Sequence, residues 1–229
     1  GESVEVYSKV KGTTVFANGK KVGLVEEVEK LEPITKDGKI KIHGEAKLPW
    51  GVSKSEPSYV YEDDEIIDIT PNPTSDEKVK KEITTLINTY AKERSKAYAT
   101  KDTSGGTTLT GKEKESFIDE IKRFKRNEGY YKGKPIKTKI DYGGAEFNQD
   151  EDSGDYYIAV PVELHYNQKK YSRWCFCDRN GPPEDVKYRY TMHVIYDSES
   201  SKWLITNMEE LYFNNHDMRG VDVVESNLE

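Results

Sequence analysis

Apolar and polar positions along the chain follow two different periods. Val79, Ile83, Leu86, Ile87, Tyr90, Ala97 and Tyr98 recur at helical spacing with Lys and Glu between them, which predicts an amphipathic helix over about 75–99. Phe117, Ile118, Ile121 and Phe124 mark a second helix that stops near Gly129. Thr74 with Glu77, and Thr110 with Glu113, have the spacing of capping boxes at the two helix starts. From about residue 135 the period becomes two. In DYYIAVPVELHYN the residues Tyr156, Ile158, Val160, Val162, Leu164 and Tyr166 share one face. In KYRYTMHVIYD, Tyr188, Tyr190, Met192, Val194 and Tyr196 do the same, and KWLITNMEELYF supplies a further strand.

The first 70 residues carry shorter apolar runs between turn signals. Asn18-Gly19 in TVFANGKKVGLV and Asp37-Gly38 in ITKDGKIKIHGEAKL both favour the positive φ angles of a two-residue hairpin turn, and EIIDIT reads as a closing strand. Pro71 and Pro73 then interrupt any ladder. The expected order is a small sandwich-like β domain at 1–70, a Pro-rich linker at 71–75, an α+β domain at 76–214, and a frayed acidic tail at 215–229. The α+β domain is expected to pack two helices on about four long antiparallel strands.

Composition narrows the setting. The 229 residues are 34% charged and 34% hydrophobic, yet 16 Tyr, 6 Phe and 3 Trp supply core area that a disordered chain would lack. No run of about 18 apolar residues is present to span a membrane. The net charge of −7 divides into −4 over residues 1–75, +5 over 76–149 and −8 over 150–229. An acidic chain is a poor partner for nucleic acid, which needs many phosphate-neutralising cations on one surface, so none is expected. The start at Gly1-Glu2-Ser3, without Met, leads us to expect a piece of a longer protein whose anchor lies upstream.

The positive middle third concentrates its charge in KRFKRNEGYYKGKPIKTK. Lys122, Arg123, Lys125, Arg126, Lys132 and Lys134 surround a single carboxylate, Glu128, and Tyr130 and Tyr131 add apolar or sugar-stacking surface. Cations at a helix end also favour the negative end of its dipole, so a solvated helix face is the plain reading. The functional reading is contact with an anionic wall polymer or lipid headgroups.

The two cysteines stand one residue apart in RWCFCDRNGPPED. Alternation places Trp174 and Phe176 on one face and Cys175 and Cys177 on the other, with the larger apolar pair expected in the core of a strand that turns at NGPPED. In that register His193 lies over about 10 Å from Cys175, too far to share a zinc ion with bonds of about 2.0–2.3 Å, so no metal is expected. Two residues apart on an extended strand, the Cα atoms stand about 6.5 Å apart, near the upper limit for a disulfide. A disulfide and two free thiols both stay open. No P-loop, GxSxG or HExxH is present, and no cofactor is expected.

Helix, helix and a meander rich in inward aromatics resembles the cone-shaped NTF2-like fold, the class that includes ketosteroid isomerase. ITKDGKIKIHGEAKLPWGVSKSEP, the Pro-rich joint and this α+β domain together resemble the C-terminal extracellular part of TcaA-type proteins, Gram-positive envelope proteins linked by name to teicoplanin susceptibility. The resemblance implies a membrane anchor upstream, a place on the outer face of the cytoplasmic membrane, and membrane contact only through that anchor. Within KLPWG, Trp50 is expected to pack back on the small domain.

A cone could also hold a catalytic pocket. A steroid-isomerase-like mechanism needs a carboxylate base facing an apolar cavity and hydrogen-bond donors for the developing oxyanion, and Asp141 with Tyr156, Tyr166, Tyr188 and Tyr190 are the candidates. Inward tyrosines at strand spacing also simply fill a core. The leading expectation is therefore a non-catalytic binding or scaffold module that touches anionic wall polymer, peptidoglycan or another envelope protein. The alternative is a small-molecule isomerase or hydrolase.

Overall fold

A computed structural model describes residues 2–28, 30–211 and 218–229, and these form two compact units. One comprises Gly1–Val79 with Phe147–Tyr157, the other Lys80–Glu146 with Ile158–Glu229.

The first unit contains β1 (Glu2–Tyr7), β2 (Thr14–Ala17), β3 (Lys20–Leu24), β4 (Lys30–Ile34), β5 (Asp37–Leu48), β6 (Gly51–Lys54), β7 (Ser58–Tyr61) and β8 (Ile66–Asp68). They form a three-stranded sheet of order β4-β1-β8 and a second sheet of order β3-β2-β5-β6, with β7 pairing β5. Val4 and Val6, Val15, Ile34, Ile42, Val60 and Ile67 come from six different strands into one apolar core, because alternate side chains of a strand leave on the same face. Asn18 and Gly19 have φ of 50° and 79°, and β2 and β3 pair outward from Ala17 and Lys20, as a two-residue hairpin requires.

Asp37-Gly38 behaves otherwise. It lies inside β5, at a register shift in the pairing with β7. Gly38 has φ of +79°, and a Cβ there would stand 2.5 Å from a ring carbon of Tyr61. The positive φ serves a bulge rather than the expected hairpin turn. Trp50 is buried, its Nε1–H donates to Ser53 Oγ at 3.2 Å, and its ring meets Phe147 and Tyr156 edge-on at 5.8 and 5.3 Å. The segment 147–157 thus belongs with the β unit although its sequence lies within the expected second domain.

Next along the chain come α1 (Glu77–Thr100), α2 (Gly111–Arg126), β9 (Tyr130–Asp141), β10 (Glu146–Gln149), β11 (Tyr156–Tyr171), β12 (Glu184–Asp197), β13 (Lys202–Glu210) and β14 (Val223–Asn227). The sheet order is β13-β12-β11-β9-β14, with β10 on β11. Ile83, Ile87 and Ile121 from the helices and Ile158, Val160, Leu164, Met192 and Ile205 from the strands are buried, which gives an α+β cone. The caps differ from expectation. Asp76, not Thr74, receives the Lys78 N–H at 2.9 Å, whereas Thr110 takes the N-cap position of α2 without a side-chain cap bond.

Two expectations for the strands are corrected. The expected tail contains β14, which pairs antiparallel with β9 from Val223–Asp141 to Asn227–Lys137. Residues 212–217, including the expected domain end at 214, lie outside the described residues. β11 ends at Tyr171, and residues 172–183 form an irregular loop before β12. Trp174 and Phe176 are not core residues: Trp174 is 68% exposed and Phe176 fully exposed.

Candidate functional site

Inside the cone, strand spacing and helix spacing converge on one arginine. Arg94, on α1, is 6% exposed, and its guanidinium carbon lies 4.3, 5.1 and 5.1 Å from the ring centroids of Tyr188, Tyr166 and Tyr98. Ring faces thus hold the cation. Among the described residues Nη1 of Arg94 has no hydrogen-bond partner. Around this centre Tyr166 donates to the Ala91 carbonyl at 2.9 Å, Gln168 Nε2 donates to Tyr188 at 2.8 Å, and Tyr131 donates to Gln168 Oε1 at 3.2 Å. Burial pushes the Tyr190 hydroxyl up to about 12 and Tyr166 higher still, so neither ionises near neutrality.

The expected pocket is only partly assembled. Tyr166 and Tyr188 ring Arg94, with Tyr190 stacked on Tyr188 at 6.4 Å. Tyr156 packs instead on Trp50 and Phe147 in the first unit. Asp141 accepts the Gly143 N–H at 3.0 Å. The register pairs Ile140 with Val162, so Asp141 is displaced along the sheet from Tyr166 by about five residues, or about 17 Å. It cannot serve as a base there. Glu120, which patterning did not single out, accepts the Tyr98 hydroxyl beside Arg94, and Glu113, expected only as a helix cap, is raised by burial and bound by the Met208 N–H.

The basic run divides between interior and surface. Lys122, Arg123, Lys125, Arg126 and Lys132 are exposed. Tyr131 turns inward, stacking on Tyr98 at 5.6 Å and bonding Ser95 at 2.7 Å, because neighbouring strand residues face opposite sides. Tyr130 stacks on Tyr171 at 6.4 Å beneath the Arg179 guanidinium at 5.1 Å. Lys134 is paired with Glu229 at 2.8 Å. What joins the basic helix end is the cysteine loop: the Arg173 N–H donates to the Asn127 carbonyl at 3.3 Å, one residue beyond α2. The Arg173 guanidinium covers Trp174 at 4.1 Å. Cys175 and Cys177 are paired, with Cα atoms 5.2 Å apart, closer than an extended strand allows. Two features far apart in sequence thus form one cationic and aromatic surface.

Two other polar sites are less suited to an anionic partner. Glu163 on β11 is 3% exposed between Arg189 Nε, 2.8 Å away, and His165 Nε2, so its charge is already matched. In the first unit, an open cleft of about 1260 Å³ is lined by three lysines, Lys9, Lys11 and Lys30, against five carboxylates that include Glu26 and Asp150. That balance is acidic. Among the described residues no group of three or more His, Cys, Asp or Glu could hold a metal ion, and no helix is long and apolar enough to cross a membrane.

Comparison with known proteins divides the chain in the same order. Residues 83–209 match the YvbJ NTF2-like domain, and residues 1–71 match the TcaA protein 3rd/4th domain. An uncharacterized membrane protein, YvbJ of Bacillus subtilis (strain 168), is 23% identical over 180 residues, which cover 79% of this chain and 28% of the relative. The chain therefore spans less than a third of that relative's length. Among solved structures, the intermembrane space region of the chloroplast protein ARC6 is 17% identical with a TM-score of 0.36, covering 61% of this chain and 95% of the other.

Proposed function

The chain belongs to the YvbJ NTF2-like domain family, preceded by a TcaA-type domain, and from that premise we propose that it is a non-catalytic, extracytoplasmic binding or scaffold module of a membrane-anchored cell-envelope protein. Its role is contact with anionic wall polymer, peptidoglycan or another envelope protein, with an effect on glycopeptide susceptibility. The observation that carries this reading is the exposed cationic end of α2, where Lys122, Arg123, Lys125 and Arg126 adjoin the Trp174–Phe176 loop through the Arg173–Asn127 hydrogen bond. Cations grouped on one surface attract a polyanion over about a Debye length, ~8 Å at physiological salt.

The competing reading is a small-molecule isomerase or hydrolase using the cone. Its support is the buried Nη1 of Arg94, which has no hydrogen-bond partner among the described residues. Against it, the nominated base Asp141 is about 17 Å along the sheet from Tyr166.

Purified wall fragments discriminate the first reading. Wild type should be retained at low salt and released by raised salt. Changing Lys122, Arg123, Lys125 and Arg126 together to Glu should abolish retention while the thermal melt stays cooperative. Equal retention of both forms would sink the proposal.

A further inference from the structure

We infer that the loop of residues 172–183 docks on an anionic lipid bilayer, with Phe176 and Trp174 entering the boundary between headgroups and acyl chains while the surrounding cations meet lipid phosphates. The inference shares the basic helix end with the reading above but rests on the aromatic tip, so each can fail alone.

The tip is exposed by construction of the loop. Among the described residues of the second unit, Trp174, Phe176 and Val221 are the large apolar side chains left exposed, whereas its other Trp, Trp203, is 3% exposed. Phe176 stands between the paired Cys175 and Cys177, whose Cα separation of 5.2 Å bends the chain and turns the intervening residue outward. The base of the loop is held at several points. Lys169 Nζ donates to the Asp178 carbonyl at 2.6 Å, the Cys175 N–H donates to the Ser172 carbonyl at 3.2 Å, and Arg173 is fixed to Asn127. Phe176 is therefore presented on a braced loop, and little ordering remains to be done on binding.

Charge completes the match. Residues 122–134 and 169–179 together hold ten Lys or Arg and two carboxylates; Lys169 is buried and Lys134 is paired with Glu229, which leaves the other eight for a partner. Arg173 lies on the Trp174 face and Arg179 on Tyr130, so cations flank the aromatic side chains, while Phe176 itself is fully exposed. An exposed apolar residue flanked by cations and amphipathic aromatics suits a bilayer interface, where phosphates lie outside the acyl boundary. A hydrated polymer of phosphate and sugar would engage the cations but offers a fully exposed Phe, which can donate and accept nothing, no comparable gain. Near an anionic surface each Lys or Arg adds about fivefold to partitioning, and burying a Phe side chain adds on the order of tenfold or more.

The natural tryptophans provide the readout. Trp50 and Trp203 are buried, so a change in emission on binding reports Trp174. The chain should co-sediment with phosphatidylglycerol-containing vesicles far better than with phosphatidylcholine vesicles, with blue-shifted emission and protection from a soluble quencher. Phe176→Ser, at an exposed tip, should retain the wild-type melting temperature and lose at least about tenfold in vesicle partitioning. Three outcomes overturn the proposal: no vesicle binding, binding undiminished by Phe176→Ser, or an equal blue shift with soluble polyglycerol phosphate. Absence of vesicle binding by the wild-type chain alongside intact wall-fragment retention would overturn this inference and leave the polymer reading standing.

Discussion

Arg94 and Tyr188 form the closest cation–ring contact inside the cone, with the guanidinium carbon 4.3 Å from the ring centroid. Tyr188 is oriented in turn by the amide of Gln168, which donates to its hydroxyl at 2.8 Å. A charged side chain from a helix is thus clasped by a strand aromatic, and the stability of the second unit depends on a residue that patterning would have assigned to the polar face of α1.

Replacing Arg94 by Ala removes the packing of a long buried side chain and its ring contacts together, and should destabilise by about 3 kcal/mol in urea unfolding. Arg94→Met keeps much of the volume and leaves no charge to desolvate, so it should cost less than half as much. Equal losses in both variants would show that the cation, not the volume, is what the tyrosines require.

Stability should fall in two stages as pH falls. Burial lowers the pKa of His165, with Lys137 and Lys187 acting in the same direction against the attraction of Glu163, so it lies below the ordinary 6.5. Burial of Glu163 works to raise its pKa, but hydrogen bonds from Arg189 and His165 prevail and hold it below 4.5. Below 6.5 the unfolded chain takes up the histidine proton before the folded one, so stability declines as pH falls towards the folded value. The Glu163 contribution is present above 4.5 and is lost as pH drops through its lower folded pKa. Urea melts of wild type and His165→Gln should differ in slope as pH falls below 6.5 and converge in slope once pH lies below the lowered folded pKa of His165. Parallel curves throughout would refute the assignment.

Long-range packing explains what could and could not be read from the chain. The face of β11 from Ile158 to Tyr166 was legible because five alternating residues leave one solution for the core. Trp174 and Phe176 obey the same alternation but lie outside the ladder, since β11 runs out of partner at Tyr171, opposite the first residue of β9; alternation alone does not reveal that. In the basic run, composition indicated one surface, whereas the strand period of β9 turns Tyr131 into the cone and leaves Lys132 outside. Arg94 escaped notice for a related reason: an arginine on a helix reads as solvated until three tyrosines from α1, β11 and β12 are known to meet over it.

Close approach of two backbones should make Gly44 intolerant of any side chain. A Cβ at Gly44 would stand 2.2 Å from the Ile69 carbonyl oxygen and 2.7 Å from the Thr13 methyl, and the first of these cannot swing away. Gly44→Ala should therefore destabilise the first unit by about 2–3 kcal/mol or more. Gly105, with open space around its Cβ position and no positive φ, provides the control and should accept Ala with less than about 0.5 kcal/mol of change. Similar melting temperatures for the two variants would contradict the β5–Ile69 contact.

The C-terminal strand yields the sharpest structural prediction, because its sequence contains little to mark it. Val223 and Val224 are its apolar residues, and the rest of the segment is polar. What places it is β9: Glu225 pairs with Lys137 at 3.1 Å, Glu229 with Lys134 at 2.8 Å, and the Leu228 N–H donates to the Ile136 carbonyl at 2.8 Å. Truncation after Gly220 should strip these partners, leave β9 as an open edge and lower stability by about 2 kcal/mol. Amide exchange should accelerate on the β14-facing side of Lys137–Asp141 while amides bonded to β11 stay protected. The truncated chain should also self-associate, since an unpaired edge can accept a strand from a second copy. In the untruncated chain Glu225→Lys reverses one ion pair but keeps the backbone ladder, so exchange in β9 should remain near wild type. Fast exchange in that variant would mean that side-chain charge, rather than backbone pairing, holds the strand; unchanged exchange in the truncated chain would remove β14 from the sheet.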